Sequence, residues 1–104
     1  MGTVEQGGTI DVVGGDGISA TTNGVTVDNA GSVTGTGLAG IDVLDDSMIT
    51  NSGTAEGGLV GINVGSGNTI TNSGMVDGGA VGIATGVGNW IINSGEVRGS
   101  TYGI

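Results

Sequence analysis

The sequence predicts an all-β fold, a right-handed three-sided parallel β-helix (solenoid) of about five coils of 21–23 residues. Three observations carry that expectation. Ile49-Thr50-Asn51-Ser52-Gly53 returns as Ile70-Thr71-Asn72-Ser73-Gly74 and again as Ile91-Ile92-Asn93-Ser94-Gly95, at a spacing of 21 residues. Val27-Asp28-Asn29-Ala30-Gly31 and Val4-Glu5-Gln6-Gly7-Gly8 are weaker copies further upstream. A Gly-Ile pair closes the second half of every unit, at Gly17-Ile18, Gly40-Ile41, Gly61-Ile62, Gly82-Ile83 and Gly103-Ile104.

The units begin near residues 4, 27, 49, 70 and 91, so 1–104 reads as one β-helix segment with successive offsets of 23, 22, 21 and 21. The length differences are expected between the Gly-Ile pair and the next strand, where Asp45-Asp46-Ser47, Gly65-Ser66-Gly67-Asn68 and Gly86-Val87-Gly88-Asn89 form turn clusters. Within the fourth unit, Ile70 to Asn72, Met75 to Asp77 and Val81 to Thr85 read as three short strands separated by Gly corners. No stretch keeps apolar residues at i, i+3, i+4 and i+7 free of Gly, so no helix is expected. Three strands per unit make one three-sided coil, and coils stack at roughly 4.8 Å. Parallel crossovers are nearly always right-handed, which sets the expected hand.

Stacking the units aligns columns of like residues. Val4, Val27, Ile49, Ile70 and Ile91 form one aliphatic column; Ile10, Val33, Ala55, Val76 and Val97 form a second. Ile18, Ile41, Ile62, Ile83 and Ile104 form a third, and Ala20, Val43, Val64 and Thr85 a fourth. All four are expected inside, where β-branched side chains suit a pleated surface. The column Asp16, Ala39, Val60, Val81, Tyr102 cannot be placed by alternation, because corners break the period of two. Two Gly columns, one through Gly8 and Gly74 and one through Gly17 and Gly82, imply positive φ or a backbone approach too close for a Cβ.

Composition fits a thin interior rather than a large globular core. The 104 residues include 26 Gly, one Trp and one Tyr, with no Phe, Pro, Cys or His. Regular aliphatic spacing opposes a disordered linker, and Gly without a three-residue period opposes collagen. The net charge is −9 and Arg98 is the sole basic residue. Nucleic acid and anionic membrane surfaces are therefore disfavoured as partners, since both require Lys and Arg in number. No 18-residue apolar run exists for a membrane span, and no signal segment opens the chain, so it reads as an excised piece of a longer repeat region.

The most specific column is Gln6, Asn29, Asn51, Asn72 and Asn93, expected to be a structural ladder. Stacked amides can bond one another and the turning backbone. Glu56 and Asp77 share an outward column with Arg98, and paired carboxylates could serve glycoside hydrolysis or calcium binding. No His, no Lys and no cluster of three or more carboxylates accompanies them, so no catalytic residue, metal or cofactor is expected. Gly14-Gly15-Asp16-Gly17 occurs once and at the wrong period for a calcium repeat, and no Lys follows a Gly-rich loop for phosphate. Thr69 and Thr71 are the one main-strand Thr-x-Thr pair, too few for an ice-binding face. With Ile91 inward, Trp90 and Ile92 are expected outside together as a contact patch.

The repeated Ile-Thr-Asn-Ser-Gly-x-x-x-Gly-Gly-x-x-Gly-Ile resembles the passenger domains of bacterial autotransporters and the β-helical stalks of outer-membrane adhesins. It covers nearly the whole chain, most strongly Ile49 to Ile104. The resemblance implies a parent protein exported to the bacterial cell surface or released outside. The chain lacks that family's signal peptide, end caps and membrane barrel, so export is implied for the parent. The function implied is a rigid extracellular stalk segment, structural and not an enzyme, whose partners are flanking repeats of the parent. A second reading is a binding module that contacts a host glycan or protein through a flat strand face. An enzyme acting on polysaccharides is a distant third. Open coil ends also allow end-to-end or edge self-association.

Overall fold

The computed structural model describes residues 2–104, and every regular element in it is a short strand. The first sheet runs β1 (Thr3–Gln6), β4 (Thr26–Asn29), β7 (Met48–Asn51), β10 (Thr69–Asn72) and β13 (Trp90–Asn93). The second runs β2 (Thr9–Val12), β5 (Ser32–Gly35), β8 (Thr54–Gly57), β11 (Met75–Gly78) and β14 (Glu96–Gly99). The third is β3 (Ile18–Ser19), β6 (Ala39–Asp42), β9 (Val60–Asn63) and β12 (Val81–Ala84), continued by a bridge from Val81 to Tyr102. All pairings are parallel, each strand lying on its equivalent in the next coil. The chain is an all-β, three-sided parallel solenoid of about five coils.

The register matches the sequence columns residue for residue. Val4 pairs with Val27, Val27 with Ile49, Ile49 with Ile70, and Ile70 with Ile91. Val27, Ile49, Ile70, Val33, Val76, Ile41, Ile62 and Ile83 fill the interior, each with at most 1% of its surface exposed. Full burial of one such side chain is worth about 1.5–3 kcal/mol, so middle coils hold most of the hydrophobic stabilisation. The end coils bury less. Val4 is 37% exposed and Ile104 60%, and Ile10, Ile91 and Val97 are only partly covered. Thr85, with no coil above it, is exposed although its column partners Val43 and Val64 are core. The stack is as tall as it is wide, 26 × 26 × 24 Å.

Two Gly columns are explained by close approach. A Cβ on Gly74 would overlap the Gly53 carbonyl oxygen one coil below, and one on Gly61 would stand 2.5 Å from a Val76 methyl. Positive φ belongs instead to a column at the corner leading back to the first sheet, Gly24 (72°), Asp46 (54°), Gly67 (69°) and Gly88 (68°), and to Gly14 (83°) between β2 and β3. Asp46 takes in the second coil a conformation that glycine takes in the other three.

The structure corrects where the coils differ in length. Thr36-Gly37-Leu38 joins β5 to β6 with three residues, whereas Gly58-Leu59 joins β8 to β9 with two. The second coil's extra residue therefore lies between the second and third sheets, not after the Gly-Ile pair. The first coil carries that extra residue too, and adds one between β3 and β4, where six residues replace five. A corner absorbs an inserted residue without disturbing strand register, and both corners are used. The column that alternation left open begins the third sheet. Ala39 and Val60 are buried there outside the main cluster, and Asp16 ends the column as an acceptor, its Oδ1 taking the Ala39 N–H at 2.9 Å.

Candidate functional site

Strands β4, β7, β10 and β13 each end in an Asn whose side chain turns into the corner before the next strand. Asn29 Nδ2 donates to Asn51 Oδ1 at 2.7 Å, Asn51 Nδ2 to Asn72 Oδ1 at 2.8 Å, and Asn72 Nδ2 to Asn93 Oδ1 at 2.9 Å. Each Nδ2 also reaches a backbone carbonyl on the next coil: Thr54 from Asn29, Met75 from Asn51 and Glu96 from Asn72. Asn29, Asn51 and Asn72 are fully buried, and these bonds repay the cost of dehydrating their amides. The expected ladder is present over four of its five residues.

Gln6 behaves differently. Its Nε2 donates to the Gly8 and Ser32 carbonyls, and its Oε1 accepts the Gly8 N–H at 3.0 Å. The longer side chain thus reproduces the bond to the next coil's backbone but not the bond to the next amide. Asn29 Oδ1 is left as the buried side-chain polar atom without a hydrogen-bond partner among the described residues. Each amide donates toward the following coil, so the ladder has a direction.

A second internal ladder escaped the sequence reading. Val25 N–H donates to Ser47 Oγ at 3.1 Å, Ser47 N–H to Asn68 Oδ1 at 2.8 Å, and Asn68 N–H to Asn89 Oδ1 at 2.8 Å. Its signal was the recurrence of Ser47, Asn68 and Asn89 just before each first-sheet strand. Polar residues beside Gly resemble solvated turns, and burial alone separates the two cases: Asn68 is 1% exposed.

The outward face of the first sheet carries Trp90 and Ile92 side by side, 69% and 50% exposed. Thr69 and Thr71 lie on the coil before, and Met48 and Thr50 on the one before that. The face grades from Glu5 and Asp28 at the N-terminal end to Trp90 and Ile92 at the C-terminal end. On the second sheet, Glu56, Asp77 and Arg98 follow one another in register, and Arg98 Nε donates to Glu96 on its own strand. That ion pair is more than half exposed, so solvent screens it. On the third sheet, burial pushes the Asp42 carboxyl above its usual range; the Asn63 amide, which donates to it at 3.1 Å, opposes the shift and Asp16 adds to it.

These carboxylates do not converge on one point. Among the described residues, no three acidic, His or Cys side chains are grouped as metal ligands. The hollow beside Asp77, Val97, Arg98 and Ser100 is an open groove at the C-terminal edge. The ladder residues come together inside the stack, and Trp90 and Ile92 come together outside it. In comparisons with family models, curated proteins and solved structures, nothing matches this chain.

Proposed function

We propose that this chain is a rigid spacer segment of a longer extracellular β-solenoid, an autotransporter-like stalk with no chemistry of its own. The observation that carries the reading is the continuity of the columns to both ends of the stack. Val4 and Ile104 remain exposed where their equivalents in middle coils are sealed by a neighbour on each side. Such a stack gains stability from each added interface and holds its faces at a fixed spacing. Display at a bacterial cell surface rests on the repeat pattern's resemblance to adhesin stalks. The test adds consensus coils covalently at both ends and measures thermal unfolding. The reading expects a clear rise in Tm over the 104-residue chain. An unchanged Tm would mean that the described coils already form a closed, self-sufficient unit, and the spacer reading would fall.

A second reading has its own observation, the exposed Trp90–Ile92 pair on a flat strand face. Trp on such a face suits stacking against a sugar ring or an apolar protein surface. Screening immobilised glycans with the intact chain and with Trp90→Ala tests it. Retention that Trp90→Ala abolishes would support a binding module, and absence of retention across the screen would remove the glycan version.

A further inference from the structure

We propose that the corner between the second and third sheets docks a cationic amphipathic helix of a partner protein, which lays its apolar side on Leu38 and Leu59 and its Lys or Arg side chains against the carboxylates on either side. The inference goes beyond the spacer reading and does not depend on it. Its support is an apolar ridge in the middle of the stack, the acids that border it, and the spacing of its leucines.

The three corners of a coil are built differently. Ser52-Gly53 and Ser73-Gly74 turn the chain from the first sheet to the second, and Asp45-Asp46-Ser47 and Gly65-Ser66-Gly67-Asn68 turn it back to the first. The corner between the second and third sheets presents Leu38 and Leu59 instead, 42% and 47% exposed. Leu59 N–H donates to the Leu38 carbonyl and Ala80 N–H to the Leu59 carbonyl, both at 2.9 Å, so the three residues stand one above another on successive coils. Leu38 and Leu59 each have a coil on either side, and their exposure therefore belongs to the corner rather than to an edge of the stack. Val60 and Val81 stack beside them at the start of β9 and β12. Val60 lies outside the interior cluster and Val81 is partly exposed, so both widen the ridge. A single exposed Leu is unremarkable, but a continuous apolar column marks a contact surface.

Negative charge borders the ridge on both sides. Glu56 and Asp77 stand in register on the outer face of the second sheet, three residues before Leu59 and Ala80. On the third sheet Asp42 accepts the Asn63 amide, and Asp16 lies close enough to raise the Asp42 pKa further. Arg98, the sole basic residue, is engaged by Glu96 and lends the ridge no cation. A partner whose cations flank an apolar face meets complementary charge on each side, whereas a second copy of this chain would set carboxylates against carboxylates. The spacing selects a helix. Parallel coils rise roughly 4.8 Å, close to the α-helical pitch of about 5.4 Å, so Leu38, Leu59 and Ala80 span roughly 10 Å along the stack. Apolar side chains one helical turn apart follow such a ridge coil for coil.

The test is fluorescence anisotropy of a labelled helical peptide of Leu and Lys, with every Leu on one face, titrated with the intact chain at about 0.15 M salt. Saturable binding is expected, weakened about tenfold or more by the double change Leu38→Ser and Leu59→Ser. Glu56→Gln and Asp42→Asn should each weaken it less, and a Leu–Glu peptide of the same pattern should not bind. Trp90→Ala, on another face, should leave binding unchanged. Circular dichroism checks that the β fold is kept, and Leu59→Ser alone serves where the double variant loses it. No binding of the Leu–Lys peptide up to about 1 mM, or equal binding of a Ser–Lys peptide, overturns the proposal. So does binding that survives both leucine changes, or self-association of the chain that Leu59→Ser abolishes, which makes the occupant a second copy. None of these failures touches the spacer reading, which the covalently extended chain tests separately.

Discussion

Asn29 donates to Asn51 across 2.7 Å, yet Asn29 itself receives nothing at its own buried carbonyl oxygen. The missing donor is a matter of one methylene. At the equivalent place in the first coil, Gln6 carries its amide past Asn29 to the Ser32 carbonyl. Gln6→Asn should place Nδ2 where the later rungs have it and raise stability by about 1 kcal/mol, the usual net value of one hydrogen bond. Urea titration checks it, and a neutral or lower midpoint would count against the geometry of this rung.

The interior rungs should be far less tolerant. Asn72→Ala removes one acceptor of the Asn51 amide together with the donor to Asn93 Oδ1 and the Glu96 carbonyl, and should cost about 1–3 kcal/mol, with Asn51→Ala comparable. Gln6→Ala, at a partly exposed end, should cost less. Equal losses at Gln6 and Asn72 in parallel denaturant titrations would contradict a ladder whose strength lies in burial.

Asp46 holds φ at 54° where Gly24, Gly67 and Gly88 hold the same corner. An L side chain in this left-handed region costs about 1–2 kcal/mol, less for Asp than for most residues. Glycine relieves that strain but is freer in the unfolded chain, so Asp46→Gly should gain about 0.5 kcal/mol net. Asp46→Val, β-branched at the same φ, should lose more than that. Comparing the two midpoints with wild type gives the sign directly.

Gly74→Ala should be among the most damaging single changes, costing about 3 kcal/mol or more, because the new methyl meets the Gly53 backbone rather than a flexible side chain. Gly88→Ala meets open space but has positive φ, so it should cost only about 1 kcal/mol. Thermal unfolding of the two variants separates overlap from backbone strain.

Asp42 supplies the pH dependence. Its folded-state pKa is raised above 3.8, chiefly by burial. The native state therefore holds the proton more tightly than the unfolded state. That contribution is fully present below about pH 3.8 and is lost as pH rises through the folded value. Asp42→Asn keeps an acceptor for the Asn63 amide and removes the ionisation. It should raise Tm at pH 7, with the advantage vanishing below pH 3.8. A benefit that persists at pH 3 would assign the effect to something other than the carboxylate.

The strand register and interior were legible because the repeat is itself the register: Ile49, Ile70 and Ile91 are 21 residues apart and pair directly. The Asn column was legible for the same reason. Corners were less so. Ser47, Asn68 and Asn89 repeat as faithfully as the first ladder, but sequence does not state which polar turn residues are dehydrated. Ala39 and Val60 lie just past a corner, where alternation restarts with a phase that only backbone geometry sets. Gln6 shares the position of the Asn column, but the reach of its extra methylene depends on the folded corner, where its amide bonds the Gly8 and Ser32 carbonyls.

The ladders have a kinetic counterpart. Their rungs join residues 21 or 22 positions apart, whether at Asn29–Asn51 or at Asn72–Asn93. Lengthening the stack therefore multiplies such contacts without lengthening the loop that any one of them closes. The entropic cost of closing a loop of that length is met coil by coil and does not grow with the height of the stack. Every later coil docks on a finished edge and closes a loop of the same size. The stack can in this way be wound up turn by turn, each completed turn serving as the template for the next.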